Sequence, residues 1–146
     1  MENEKLVELF FEINRLNRRY TEKKYGNLTP MRGQYRCLLA LDNRGTLSQK
    51  ELAEVLQIRS TSAGELIAKL EQKGYVSKKV SPNDKRVSII SLTEEGRIQA
   101  ELVKKKRIEA HKEMVSILEE DEKENFYQIL SKIERYYLEM EEELFE

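Results

Sequence analysis

One cysteine, one histidine, two prolines and no tryptophan occur in a chain of 146 residues. A single thiol, Cys37, cannot close an intramolecular disulfide. Cys37 and His111 together cannot assemble a Cys/His zinc site or a Ser-His-Asp triad. No apolar run approaches the roughly 18 residues of a membrane-spanning helix. The charged start "MENEK" lacks the apolar stretch of a secretory signal. The expectation is a soluble cytoplasmic protein with no metal, no cofactor and no membrane partner. Carboxylates are plentiful, but they fall in helical charge runs, and no pair stands in an apolar setting that would raise a pKa for acid–base work. The sequence reads as a non-enzyme.

What is present is 39% hydrophobic and 36% charged residues, enough for one compact domain or a small domain with helical extensions. The net charge of −1 is unevenly spread: +3 over residues 1–45, +2 over 46–97 and −6 over 98–146. A near-neutral average can thus hide a basic face, the minimum needed to attract nucleic acid.

Leu6, Leu9, Phe10, Ile13, Leu16 and Tyr20 recur at spacings of three and four and form one stripe of an amphipathic helix. "GNLTP" breaks it. Thr29 and Pro30 then make an N-cap and first-turn pair, so a second helix is expected from about Pro30 to Asp42. Ser48 and Glu51 form a capping-box pattern that opens a short helix with Leu52, Ala53 and Leu56 inward. Gln57 and Ile58 make a bend. A following helix turns Ala63, Leu66, Ile67 and Leu70 inward until Gly74 stops it, which completes a helix-turn-helix.

Beyond Gly74, "YVSKKV" and "VSIISL" are β-favouring runs separated by "SPNDKR", with turn formers at Pro82 and Asn83. They predict a two-stranded hairpin with a basic tip. Thr93 caps a long helix with Glu94 and Glu95 in its first turn, expected to run to about Leu118. The run "KKKR" at 104–107 in that helix reads as a solvated face. Asp121 with Glu124 opens a last helix, striped by Phe126, Ile129, Leu130, Ile133, Tyr137, Met140 and Leu144. The apolar faces of the two terminal helices must be buried on each other or on a second chain, so dimerisation is expected.

A helix-turn-helix followed by a basic-tipped hairpin is a winged helix. "LSQKELAEVLQI" and "LIAKLEQKGYVSKKVSPNDKRVSIISLTEEG", with a helix pair before them and two long helices after, resemble the MarR (multiple antibiotic resistance regulator) family of transcription factors. The likeness spans essentially the whole chain. It implies a mostly α fold with a small β-hairpin wing: residues 29–98 as the winged helix-turn-helix DNA-binding domain, and residues 1–28 and 99–146 as the helical dimerisation region. It also implies a homodimer on a pseudo-palindromic operator, with half-sites about one helical turn (~34 Å) apart. Such proteins usually repress genes until a small ligand or an oxidant lowers their affinity.

The inward set of the second helix of the motif leaves Ser60, Thr61, Ser62, Gly64, Glu65 and Lys69 outward, with Arg59 just ahead. Small hydroxyls at a helix N-terminus suit phosphates and base edges, although Ser60 or Ser62 would also serve as a simple cap. Glu65 departs from the family pattern, where a basic or neutral polar residue is common. Its carboxylate repels phosphate yet can accept from a cytosine amino group. Gly64 costs about 1 kcal/mol of helix propensity against alanine, which suggests close packing on DNA or a neighbouring helix. In the wing, Arg86 matches the family arginine that enters the minor groove and Asp84 the acid that orients it; Lys85, in place of a more frequent arginine, is expected on phosphate. Ser81 replaces a frequent aspartate.

The family pocket lies between the dimer region and the winged domain, which makes Arg15, Tyr35 and Arg36 candidates for a small anionic or aromatic effector. Cys37 sits among "YRCLLAL", where a lone thiol behaves as a small hydrophobe; family cysteines that sense oxidants match the first helix, which has none here. Two alternative functions stand beside the regulator: an oxidant switch through Cys37, and a winged-helix protein-interaction module without DNA activity.

Overall fold

The computed structural model describes residues 1–26 and 33–145. Its elements run α1 (Asn3–Tyr25), α2 (Gly33–Arg44), β1 (Leu47–Ser48), α3 (Gln49–Leu56), α4 (Ser60–Gln72), β2 (Val76–Val80), β3 (Ser88–Leu92), α5 (Glu94–Met114) and α6 (Glu120–Phe145). The expected Thr29/Pro30 start of the second helix lies outside the described residues. Two compact units emerge, Met1–Ala110 and His111–Glu146.

In the first unit the core gathers one face from each element of the winged helix. Leu38 and Leu41 of α2, Leu52 and Leu56 of α3, Ile67 and Leu70 of α4, Val76 of β2, Ile90 of β3 and Val103 of α5 are buried together. Each such side chain contributes roughly 1.5–3 kcal/mol on leaving water, so the helix-turn-helix and wing fold as one body. The sheet is antiparallel in the order β1-β3-β2, with Val76 opposite Leu92 and Val80 opposite Ser88. It is therefore three-stranded, not the two-stranded hairpin expected from sequence. The extra strand is the pair Leu47 and Ser48, lying opposite Ile90 and Ile89.

The junction between wing and α5 is tightly knit. Thr93 Oγ1 accepts from the Gly96 amide at 3.0 Å and donates to the Gly74 carbonyl at 2.6 Å, while its own amide donates to the Tyr75 carbonyl at 3.0 Å. Gly96 must be glycine here. A Cβ on it would stand 1.9 Å from the Tyr75 carbonyl oxygen.

The run at 104–107 departs from a purely solvated face. Lys104 is ion-paired with Asp42 of α2 and Glu101, and Lys106 lies 5.7 Å from the ring centroid of Tyr25 in α1. Lys105 and Arg107 are exposed as expected. The stripe of α1 is solvent-facing in this single chain: Leu6, Leu9, Phe10, Ile13, Leu16 and Tyr20 are 41–57% exposed.

In the second unit, α5 ends at Met114 rather than near Leu118. The Ser116 hydroxyl and amide both donate to the Glu113 carbonyl, at 2.7 and 3.1 Å, and so divert that carbonyl from the helical ladder. The cap of α6 is also displaced from the expected Asp121/Glu124 pair. Glu122 accepts from the Glu119 amide at 2.8 Å, so the helix begins at Glu120. Along α6, Phe126, Ile129, Ile133, Tyr137 and Leu144 are exposed, and no residue of the helix is buried. No described helix is long and apolar enough to cross a membrane.

Candidate nucleic-acid interface

The site starts from a local signal. Ser48 Oγ accepts from the Glu51 amide and the Glu51 carboxylate accepts from the Ser48 amide, both at 3.1 Å, which is the reciprocal capping box at the head of α3. The bond from the Ser48 amide, then the Ser48 hydroxyl, holds the Glu51 carboxyl below the usual carboxylate range. At the other end Gln57 takes a left-handed conformation, φ 56°, and closes the helix. Arg36 of α2 reaches across to donate to the Leu56 carbonyl at 3.3 Å. The chain thus leaves α3 in one tight bend, as the residues 57–58 predict.

Arg59 occupies the N-cap of α4 without a side-chain cap bond, so neither Ser60 nor Ser62 serves as the cap. Their hydroxyls are therefore not consumed by capping. Arg59, Ser60, Thr61, Glu65 and Lys69 are exposed, whereas Ser62 and Gly64 are half-buried. Ala63, Ile67 and Leu70 hold the opposite face in the core. Of the predicted outward set of α4, Arg59, Ser60, Thr61, Glu65 and Lys69 face solvent, and Arg59, Ser60 and Thr61 stand beside the first-turn amides, which have no intrahelical partners, whereas Ser62 and Gly64 are partly covered.

At the wing tip the Ser81 amide donates to the Val87 carbonyl at 2.8 Å, and Ser81 Oγ accepts from the Asn83 amide at 3.3 Å. Serine thus supplies the turn bond that an aspartate would make. The Val87 amide donates to the Asp84 carbonyl at 3.0 Å. Arg86 approaches Asp84 with Nε at 3.1 Å from Oδ1, a terminal guanidinium nitrogen at 3.2 Å from Oδ2, and its amide at 3.0 Å from Oδ1. The guanidinium bonds, then the amide bond, hold the Asp84 carboxyl below the usual carboxylate range. Arg86 nonetheless keeps 90% of its side chain exposed. Lys85 beside it is exposed, as are Lys78 and Lys79 on β2, two cations the sequence reading left out.

The three effector candidates each have their own engagement in the fold. Arg15 pairs with Glu12 on the surface of α1, Tyr35 lies in the core, and Arg36 is engaged with Leu56. A cavity of about 460 Å³ instead opens between α2 and α5, lined by Leu39, Ala40, Asn43, Lys104, Arg107 and Ile108. Cys37 is fully buried, and burial pushes its thiol up to about 11. His111 is exposed. Among the described residues no group of three or more His, Cys, Asp or Glu is placed to hold a metal ion.

Comparison with known proteins agrees with this architecture. A family model described as the MarR family matches residues 31–88. The chain is 31% identical over 144 residues to the uncharacterized HTH-type transcriptional regulator YxaD of Bacillus subtilis (strain 168), covering 94% of this chain and 99% of that protein. Among solved structures it is similar to the reduced form of MarR from E. coli (TM-score 0.74, 22% identity, 91% of this chain and 96% of that one). It is also similar to a MarR mutant from E. coli complexed with operator DNA (TM-score 0.72, 24% identity, 88% of this chain and 92% of that one). With the winged helix, its capped helix pair and the full-length match to a relative of this class, the chain belongs to the MarR family of transcriptional regulators.

Proposed function

We propose that the chain is a homodimeric, sequence-specific DNA-binding repressor whose affinity for a pseudo-palindromic operator is lowered by a small ligand. The observation that carries the DNA reading is Arg86, held by Asp84 yet 90% exposed at the tip of a basic wing. A guanidinium so presented suits the narrow, negative minor groove, while Lys85 neutralises phosphate. On α4, Arg59, Ser60, Thr61, Ser62, Glu65 and Lys69 face the major groove, with Gly64 between them. That a MarR mutant of the same fold is solved in complex with operator DNA supports the DNA-binding reading.

Residues 29–98 form the DNA-binding part, and residues 1–28 and 99–146 join two copies. The support is the exposed apolar stripes of α1 and α6, which water disfavours in a monomer. For the effector, the cavity between α2 and α5 is preferred to Arg15, Tyr35 and Arg36, because Arg107 sets a cation beside the apolar Leu39, Ala40 and Ile108, while Lys104 in the same lining is already paired with Asp42 and Glu101. A small anion with an apolar body fits that lining. To act, it must bind the DNA-competent and incompetent states with different affinities. The oxidant alternative draws no support from Cys37, since a buried, protonated thiol reacts slowly with peroxide.

Selection of bound sites from random duplexes tests the reading. A recovered two-fold symmetric sequence, bound in preference to its scrambled version, is the expected result; capture without sequence preference contradicts it and favours an interaction module.

A further inference from the structure

Gln49, the first residue of α3, crosses to the helix proposed to read DNA. Its Nε2 donates to the Ser60 carbonyl at 3.1 Å. A Cβ built on Gly64 would lie 2.9 Å from that same nitrogen. The glycine in the middle of α4 therefore makes room for the amide, and the amide ties the first turn of α4 to the start of α3. Leu52 and Leu56 of α3 and Ile67 of α4 also share the buried apolar core. Apolar contact is non-directional and fixes how close the helices lie better than how the exposed end of α4 is placed. A hydrogen bond is directional. It acts on the carbonyl of Ser60, the first residue of α4.

We infer that Gln49 is a positioning residue for sequence recognition, which sets the first turn of α4 through Ser60, its amide seated in the space that glycine at 64 leaves. This rests on the DNA-binding reading of α4. Gln49 need not touch DNA. A direct contact would act independently of residue 64, whereas a positioning bond is lost in the same way whether its donor is removed or its space is filled.

The test uses the full chain, the duplex it selects, and the variants Gln49→Met, Gly64→Ala and the pair. Methionine keeps the length and bulk of glutamine without the donor. Alanine at 64 raises helix propensity, so weaker binding would not come from a weaker helix. Each single change should weaken binding to the selected duplex about three- to tenfold, the range of one net hydrogen bond. For Gln49→Met, affinity for scrambled DNA and the salt slope should stay constant, and in both single variants preference should relax at the bases nearest Ser60 and Thr61. The double variant should be no worse than either single one. Hydrogen exchange should quicken in the first turn of α4 in both, a readout that needs no DNA. Wild-type discrimination by Gln49→Met, additive effects, or unchanged exchange would each overturn the inference. A wild-type chain that selects no sequence, with exchange quickened in both variants, would instead overturn the DNA reading and confine Gln49 to ordering α4.

Discussion

Asp84 holds Arg86 by both carboxylate oxygens and by the arginine's own amide, so that an exposed guanidinium has a fixed bearing at the wing tip. Asp84→Ala should leave the fold and thermal stability essentially unchanged, because the pair is exposed. It should weaken operator binding less than Arg86→Ala does, by freeing the rotamer while keeping the charge. Since its folded pKa is depressed, the Asp84 contribution is present above the ordinary carboxylate range and is lost only as pH falls through the lower folded value. Titrating binding with each variant should therefore show no loss of the Asp84 effect between neutral pH and the ordinary carboxylate range; an earlier loss would count against the bidentate grip.

Gly96→Ala should be far more damaging than its place in a helix suggests. The added Cβ would meet the Tyr75 carbonyl oxygen, a backbone atom that also accepts from Thr93. Overpacking of this kind costs about 1–3 kcal/mol or more. Urea unfolding should report a loss in that range, and a gain in stability, as for an ordinary glycine-to-alanine change in a helix, would refute the close approach.

Cys37 should be inert in the native state. Its thiol is fully buried and pushed up to about 11 by burial, so it is protonated at neutral pH. A raised folded pKa means that its contribution to stability is complete below the unfolded thiol value and is lost as pH rises through about 11. A thiol reagent should label Cys37 only as fast as the protein unfolds, and DNA binding after peroxide should match that of Cys37→Ser. Rapid native labelling with a peroxide response abolished by Cys37→Ser would restore the redox switch.

The exposed stripes of α1 and α6 predict a dimer of twice the 17.3 kDa chain mass at micromolar concentration. Ile13→Arg together with Ile133→Arg should shift light scattering toward the monomer and cost operator affinity. A wild-type monomer would remove the basis for two half-sites.

What the sequence made legible was local. Ser48 with Glu51, and Thr93 with the amide three residues on, are bonds within one helical turn, and both caps form as their spacing predicts. The inward faces of α3 and α4 follow from periodicity. What could not be read depends on contacts between elements distant in the chain. Nothing near Gly96 announces the Tyr75 carbonyl, and nothing near Gly64 announces Gln49. Lys104 departs from a solvated run because helix register sets it against Asp42, while Lys105 next to it faces water. In "EEDEKE" several acids offer equivalent caps, so the choice of Glu122 on Glu119 is not marked in the sequence. The strand at Leu47 and Ser48 is too short for any alternation to appear.

The most direct test of the account is the dependence of operator affinity on salt for the wild type, Lys85→Ala and Arg86→Ala. The wild type should lose affinity linearly on logarithmic axes. Lys85→Ala should weaken binding evenly across sequences and lower the salt slope by about 1, whereas Arg86→Ala should also relax preference at its own base positions. Identical affinities, slopes and preferences in all three proteins would contradict the assignment of the wing to DNA.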